Sequence, residues 1–571
     1  MHRKLVLVLL LALCGASMPA QDIDSLLGTM SRREKIAQII IEAVESGEDP
    51  ALRARHVQWV KEGLGGLIVM DDGLAPCLQT INDLQSLARI PMIVSIDGEW
   101  GAAMRFYEYA AFPRAMQLGA LDDEALVEQA GYEIGRQLRE IKLFVNYAPV
   151  VDVNNNPANP VINTRSFGED RDRVARLGAA YMRGMRNAGV YGSAKHFPGH
   201  GDTDVDSHHG LPVLPFDRSR LDSLELYPFR HLIAEGVEMV MVGHLSVPAL
   251  DPSGTPASVS RPIVTGLLRE ELGFQGIIIT DALGMEGVAG EHDNAAFAAY
   301  QAGADILLMP QDTRQTIDEL DAAFRRGELD EAGLDTRVRK MLELKKKAGM
   351  LAAGYTPFVD TAEALSKTVR PETEGLIQRL CDRSMTVVRG KLRFPLSLRR
   401  RMALTTRPKV AYVAFNADPQ QEDAFYEEMS RHGRVTRFEL PGDATPQQID
   451  SVGALIKGYR KVVLGIHAGR PVPRSGGPRR FATIDPAQFG QLAKWGCKHR
   501  LYGIYWGNPY DLNVLNGYKR FKAFIIGYAD TRFNNIAAAR ALMEHRSAHG
   551  SLPVAAGGLP AGYHSNVFGK K

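Results

Sequence analysis

The stretch Lys195–His209 (KHFPGHGDTDVDSHH) holds one ammonium, four imidazoles and three carboxylates within fifteen residues. Gly199 and Gly201 let its backbone bend sharply. Such a density of titratable groups serves proton transfer, grip on a polar ligand, or metal binding. Asp202, Asp204 and Asp206 have the alternate spacing of a calcium loop. That loop needs Gly sixth and Glu twelfth, where this chain has Ser207 and Val213. Zinc finds no His-Glu-x-x-His and no cysteine pair at ligand spacing, so no metal is expected. A serine nucleophile on a Gly-x-Ser-x-Gly turn is also missing. What remains is acid–base work on a polar ligand beside a carboxylate. Asp281 is the candidate: it ends the apolar run Ile277–Thr280. On that feature alone it reads equally as a helix N-cap or as a nucleophile.

The groups need elements to position them. Apolar runs at Gly66–Met70, Met92–Ile96, Phe144–Val151, Val190–Ala194, Met239–Val242, Ile277–Thr280 and Ile306–Met309 alternate with segments of helical periodicity such as Asp122–Ile141 and Arg171–Asn187. That alternation predicts a parallel sheet, and its length suits a (β/α)8 TIM barrel with one strand weak in sequence. The rival, an open doubly wound sheet, lacks a Gly-x-Gly-x-x-Gly after its first strand. Asp97, Lys195, His196, His244 and Asp281 each follow a strand, and Asn163-Thr164-Arg165 lies in the segment after Phe144–Val151. In a parallel barrel these positions converge on the carboxyl-end face. A second alternating set, Lys409–Phe415, Arg434–Leu440, Lys461–His467, Leu501–Trp506 and Phe521–Tyr528, predicts a smaller α/β domain of parallel type, with no clustered site of its own.

The expected organisation is a signal peptide at 1–20, a barrel at 21–350, a linker at 351–384 and a C-terminal α/β domain at 385–571. Arg3 and Lys4, the apolar run Leu5–Leu13 and the small residues up to Ala20 give the export signal. The chain is therefore expected to be exported, periplasmic or extracellular. Lipid anchoring through Cys14 is the weaker reading, because the residue before it is the bulky Leu13. No other segment is long and apolar enough to span a membrane. A net charge of +2 gives no field for nucleic acid, and Arg399-Arg400-Arg401 reads as a solvated turn. Cys77, Cys381 and Cys497 read as mostly buried thiols. The glycine-rich tail Gly557–Lys571 is expected to be mobile.

Five motifs resemble family 3 of the glycoside hydrolases, in its bacterial β-N-acetylhexosaminidase branch. They are Ala148–Asp152 (APVVD), Asn163–Gly168 (NTRSFG), Lys195–Asp202 (KHFPGHGD), Asp206-Ser207-His208, and Ile279–Leu283 (ITDAL), in the family's order across the first domain. The second domain resembles, less specifically, the α/β sandwich of two-domain members. The resemblance implies Asp281 as the nucleophile, His208 as general acid/base and Asp206 as its orienting partner. It implies Asp97, Arg165, Lys195 and His196 as substrate-binding residues. An imidazole exchanges protons near neutral pH, and a carboxylate partner stabilises its cation. Arg and Lys only donate and an ionised Asp only accepts, so together they fix both sides of a hydroxyl.

One departure stands near Asp97. The family usually shows Gly-Gly-Arg after its acidic pair; here Trp100 replaces a glycine and the basic residue is displaced to Arg105. Trp100 reads either as core or as a sugar-stacking platform. His200 and Asp202 read as shaping the loop, His209 as a solvent-facing neighbour, His244 as a site-lining residue, and Met239, Met241 and Met285 as core. The expected function is a secreted, retaining exo-β-N-acetylglucosaminidase without cofactor. It would hydrolyse terminal β-linked GlcNAc, with peptidoglycan fragments or other glycans as the natural source. A β-N-acetylglucosaminide phosphorylase and a β-glucosidase are the enzymatic alternatives. A carbohydrate-binding protein without catalysis is opposed by the presence of both catalytic side chains.

Overall fold

The computed structural model describes residues 22–47, 49–70, 73–208, 210–289, 294–390, 409–468, 484–544 and 548–565. The export segment with Cys14, His209 and Arg399–Arg401 lie outside the described residues.

The first domain is the expected barrel. Eight strands pair in parallel in one sheet: β1 (Ile40–Val44), β2 (Gly66–Val69), β3 (Ile93–Ile96), β4 (Val145–Asn146), β5 (Tyr191–Phe197), β6 (Met239–Val242), β7 (Ile277–Thr280) and β8 (Leu307–Leu308). β8 pairs with β1, and an Ile279–Ile306 bridge closes the ring. Ile41, Ile68, Ile93, Val145, Met239, Met241, Ile279 and Leu308 fill its interior, and Met341, Leu344 and Met350 join that core from the helix Glu331–Lys347 and just beyond it. Met239 and Met241 are thus core, whereas Met285 is half-buried. The strand weak in sequence is β1. Its apolar pattern is broken by Glu42, which accepts from the hydroxyl of Thr313 and whose carboxyl burial pushes up to about 7. β4 is shorter than the expected run: Pro149 has no N–H to give a ladder, and pairing resumes only at the Val150–Lys195 bridge.

Helices around the barrel start on aspartate caps, Asp123, Asp170, Asp312 and Asp330. The helices Glu124–Glu140 and Arg171–Asn187 touch backbone to backbone at glycines. A Cβ on Gly131 would lie 2.2 Å from the Tyr181 carbonyl, and one on Gly184 would lie 2.1 Å from that of Glu128. This close approach seats Tyr181 under the barrel mouth.

The second domain holds a six-stranded sheet in the order β11-β10-β12-β13-β14-β9. Its parallel strands are β10 (Lys409–Phe415), β11 (Arg434–Leu440), β12 (Lys461–His467), β13 (Arg500–Trp506) and β14 (Ala523–Ile526). The edge strand β9 (Thr386–Gly390) pairs antiparallel with β14 and was not among the expected runs. It is only five residues long and ends in Arg389-Gly390, so it carries no clear alternation. The segment 351–384 contains the helices Thr361–Ser366 and Pro371–Ser384, the latter packed on the helix Arg532–Glu544. The expected mobility of the glycine-rich tail is corrected up to residue 565. Leu552 N–H donates to the Tyr563 carbonyl at 2.8 Å and Ser565 N–H to that of Val387 at 2.8 Å. Cys77 and Cys381 are buried, but Cys497 is exposed.

Candidate active site

Asp97, Lys195, Arg165 and Glu99 form one connected ring at the carboxyl ends of the barrel strands. Lys195 Nζ lies 2.7 Å from Asp97 Oδ1 and 3.0 Å from Glu99 Oε1. Arg165 grips the Glu99 carboxylate through Nε at 2.9 Å and a terminal nitrogen at 2.7 Å. The displaced Arg105 still reaches the ring, donating to Asp97 Oδ2 at 3.1 Å. Below it, Tyr181 Oη donates to the Glu99 carbonyl at 3.1 Å. Burial opposes the charge on Glu99, but Arg165 and Lys195 hold its carboxyl far below the usual carboxylate range. Lys195 is likewise held cationic against burial by Asp97 and Glu99.

Successive strand residues point to opposite faces, yet Lys195 and His196 both serve the mouth. The β5–β6 register shifts between Ala194 and Phe197, at these two residues. A local irregularity of this kind re-aims side chains next to active sites. His196 Nδ1–H donates to Asp152 Oδ2 at 2.8 Å, and Arg165 approaches its other ring nitrogen at 3.4 Å. Asp152 also accepts the backbone N–H of His196 at 3.1 Å and of His200 at 2.7 Å. One buried carboxylate therefore organises both ends of the KHFPGH turn.

Asp281 follows β7 directly. Its N–H donates to the Val242 carbonyl at 2.9 Å and its Oδ1 accepts from Ala282 N–H at 2.8 Å. The next helix begins at Glu286, so Asp281 is not its cap. Burial would lift the Asp281 carboxyl, but His196, His244, the Ala282 N–H and Lys195 outweigh it and bring it down to about 2. His244 is fully buried behind it, with Nδ1 2.7 Å from Ser258 Oγ and Nε2 2.9 Å from the Ala282 carbonyl. It holds the Asp281 turn rather than lining open space.

Asp206 and His208 sit on the loop above. His208 Nδ1 lies 2.7 Å from Asp206 Oδ1, which also accepts the His208 N–H at 3.0 Å. The His208 side chain is 54% exposed. The loop is tied to the Asp281 turn by Gly287 N–H, which donates to the Ser207 carbonyl at 3.2 Å. His200 lies inside the loop, bonded to Thr203 Oγ1 at 2.7 Å and near Ser207 Oγ at 3.3 Å; burial and the charge of His196 bring its imidazole down to about 4. Asp202 pairs with Arg220 at 3.0 Å. Among the described residues, no group of three His, Cys, Asp or Glu side chains is arranged to hold a metal ion.

Residues 31–344 match the family described as glycosyl hydrolase family 3 N-terminal domain. The chain belongs to glycosyl hydrolase family 3. Two relatives and one solved structure bear on the branch. Beta-hexosaminidase A of Pseudoalteromonas piscicida is 37% identical over 319 residues, covering 50% of this chain and 53% of that protein. A beta-N-acetylglucosaminidase/beta-glucosidase of Cellulomonas fimi is 30% identical over 376 residues, covering 64% of this chain and 65% of that one. The chain thus spans about half to two thirds of these relatives' lengths. A family 3 beta-N-acetylglucosaminidase structure from Paenibacillus sp. str. FPU-7 superposes with a TM-score of 0.75 at 30% identity, over 92% of this chain and 98% of that one.

The structure brings Asp97, Arg165, Lys195, His196 and Asp281 together at the family 3 barrel mouth and joins Asp206 to His208 above it. Two residues went unassigned in the sequence. Glu99 ties Lys195 to Arg165, and Asp152 anchors His196. Asp152 stands inside the APVVD motif, and Glu99 is the second member of the acidic pair, so both carried a signal without a role. Trp100 is half-buried, with Arg114 4.3 Å over its ring, and faces the second domain rather than the ring of charges.

Proposed function

We infer that the chain is an exported, retaining exo-β-N-acetylglucosaminidase that releases terminal β-linked GlcNAc, with peptidoglycan fragments as its natural source. The observation that carries this reading is an ionised, half-buried Asp281 beside a ring of fixed donors and acceptors, with an Asp–His pair on the loop tied to its turn. The names of the two relatives and of the Paenibacillus enzyme support the acetamido-sugar branch. The export reading rests on the N-terminal segment alone.

In this reading, the Asp281 carboxylate attacks the anomeric carbon as the glycosidic C–O bond breaks. The His208 imidazolium gives its proton to the departing oxygen, and Asp206 orients and stabilises that cation. Water then attacks the glycosyl ester, His208 takes the water's proton, and Asp281 leaves as a carboxylate. Two displacements at one carbon retain the β configuration. Asp97, Lys195, Arg165 and His196 supply the paired donors and acceptors that hold the sugar.

The test is kcat/KM on matched nitrophenyl β-GlcNAc and β-glucose, with and without phosphate, and with the first-formed anomer read by NMR. A pocket built for an acetamido group leaves buried groups unpaired when a plain hydroxyl enters. That costs about 1–3 kcal/mol, or on the order of 10–100-fold. An equal or better glucoside moves the chain to the β-glucosidase reading. A sugar phosphate as main product moves it to a phosphorylase.

A further inference from the structure

A cavity of about 480 Å³ opens between the two domains. Trp100, Arg114 and Thr164 line it from the barrel; Trp506, Asn508 and Asp530 line it from the second domain. Its position follows from the second sheet's topology. β10 has β11 on one side and β12 on the other, so the chain reverses direction across the sheet between β10 and β12. In open α/β sheets, ligands bind beyond the carboxyl ends of the strands at such a reversal. Trp506 ends β13, Ala468 follows β12, and Asp530 lies just after β14, so the cavity lies along this carboxyl edge. Asn416, the residue after β10, donates to the His467 carbonyl at 2.7 Å and bridges the reversal point itself.

The lining chemistry selects a ligand class. Its charged residues are two arginines, Arg114 and Arg532, and two aspartates, Asp511 and Asp530. The balance gives no preference for a phosphate, a carboxylate or a cation. Arginines only donate, carboxylates only accept, and the amide of Gln421 does both, which is the complement of hydroxyls that donate and accept at once. Arg114 is stacked over the Trp100 ring and donates to Thr164 Oγ1 at 3.3 Å, making a flat wall with polar edges. The Trp506 indole N–H is buried and has no acceptor among the described residues.

We propose that this interdomain cleft is a second carbohydrate site, separate from the barrel mouth, for a neutral mono- or disaccharide. Trp100 follows Glu99 and Thr164 precedes Arg165, so two cleft residues each adjoin a member of the buried ring. The site's existence does not depend on what the mouth cleaves.

Calorimetric titration of the full chain with N,N′-diacetylchitobiose, and separately with cellobiose, tests it. Asp281→Asn is the background, so that neither sugar is turned over. Two sites per chain are expected with at least one of the sugars. Adding Ala529→Trp, which fills the cleft from a half-buried loop position, should abolish one site. Adding Arg532→Ala, at an exposed position, should weaken the same site about tenfold. Asp97→Asn should abolish the other. A single site that Asp97→Asn removes and neither cleft change affects overturns the proposal. Binding that only the cleft changes remove leaves the proposal standing and overturns the glycosidase reading of the mouth.

Discussion

Glu99→Gln is the perturbation that tests the buried ring most directly. Asp97 and Glu99 face Lys195, Arg165 and Arg105, a formal sum of −2 and +3. The substitution keeps the shape and raises the sum from +1 to +2. Glu99 accepts from Lys195 at 3.0 Å and from Arg165 at 2.9 and 2.7 Å. An amide offers one oxygen to these donors and turns an N–H toward the rest. Breaking one side of a buried ion pair costs about 3–5 kcal/mol. In the transition state the sugar also becomes cationic, and the uncompensated charge opposes it. If the whole loss falls on transition-state binding, kcat/KM for nitrophenyl β-GlcNAc drops on the order of 10²–10⁴-fold. Glu99→Asp keeps the charge and should fall between the two. A Glu99→Gln enzyme within about threefold of wild type, with unchanged thermal unfolding, would refute the ring as a substrate-positioning device.

Asp281→Asn should lose activity by more than about 10³-fold with unchanged near-UV circular dichroism, since an amide cannot form the glycosyl ester; near-normal turnover would remove Asp281 as nucleophile. His208→Ala should slow substrates with poor leaving groups far more than activated nitrophenyl glycosides, and Asp206→Ala should show a milder version. Equal losses across leaving groups would make the pair structural. Glu42 gives a pH signature of the fold. Its folded pKa is raised by burial to about 7, so the stability present below the ordinary carboxylate range is lost as pH rises through about 7. Relative to Glu42→Gln, wild type should lose roughly 3 kcal/mol between pH 5 and 8 in urea unfolding, and a pH-independent difference would contradict it.

Much of the barrel and its mouth was legible because each strand ends where its chemistry begins. Asp97 follows β3, Asp281 follows β7, and the motif residues Lys195 and His196 close β5, so one rule about parallel strands gathered them. The roles of Glu99 and Asp152 were not legible, because their partners lie far along the chain. Glu99 meets Arg165 sixty-six residues on, and Asp152 meets His196 forty-four residues on. β9 was missed for a related reason: it is a short edge strand defined by its partner β14 rather than by its own pattern. Contacts between domains were invisible altogether. Tyr510 Oη donates to the Asn154 carbonyl at 2.8 Å and Asn508 donates to Asn163, which ties the second domain to the segment carrying Arg165. Nothing in the composition of Asn508–Tyr510 points across a domain boundary.

On the proposed mechanism, the contrast between the buried ring and the exposed His208 has a functional logic. A terminal sugar has one shape, so the groups that grip it gain from being fixed, and Lys195, Glu99 and Asp152 are almost wholly buried. The leaving group differs from substrate to substrate, so the acid that protonates it needs access from solvent. The loop satisfies both demands through its anchors. Asn159 holds its root, donating to the His200 and Gly201 carbonyls at 2.8 and 3.1 Å, while the Ser207 carbonyl is held by Gly287 beyond Asp281. His208 thus stands one residue past a fixed point, close to the nucleophile's turn yet open outward. Asn159→Ala would leave both proposed catalytic side chains in place and free the loop's root. It should therefore lower kcat on poor leaving groups while sparing activated ones, the same pattern as His208→Ala but weaker. A loss confined to KM would show that the loop root serves sugar binding and not proton delivery.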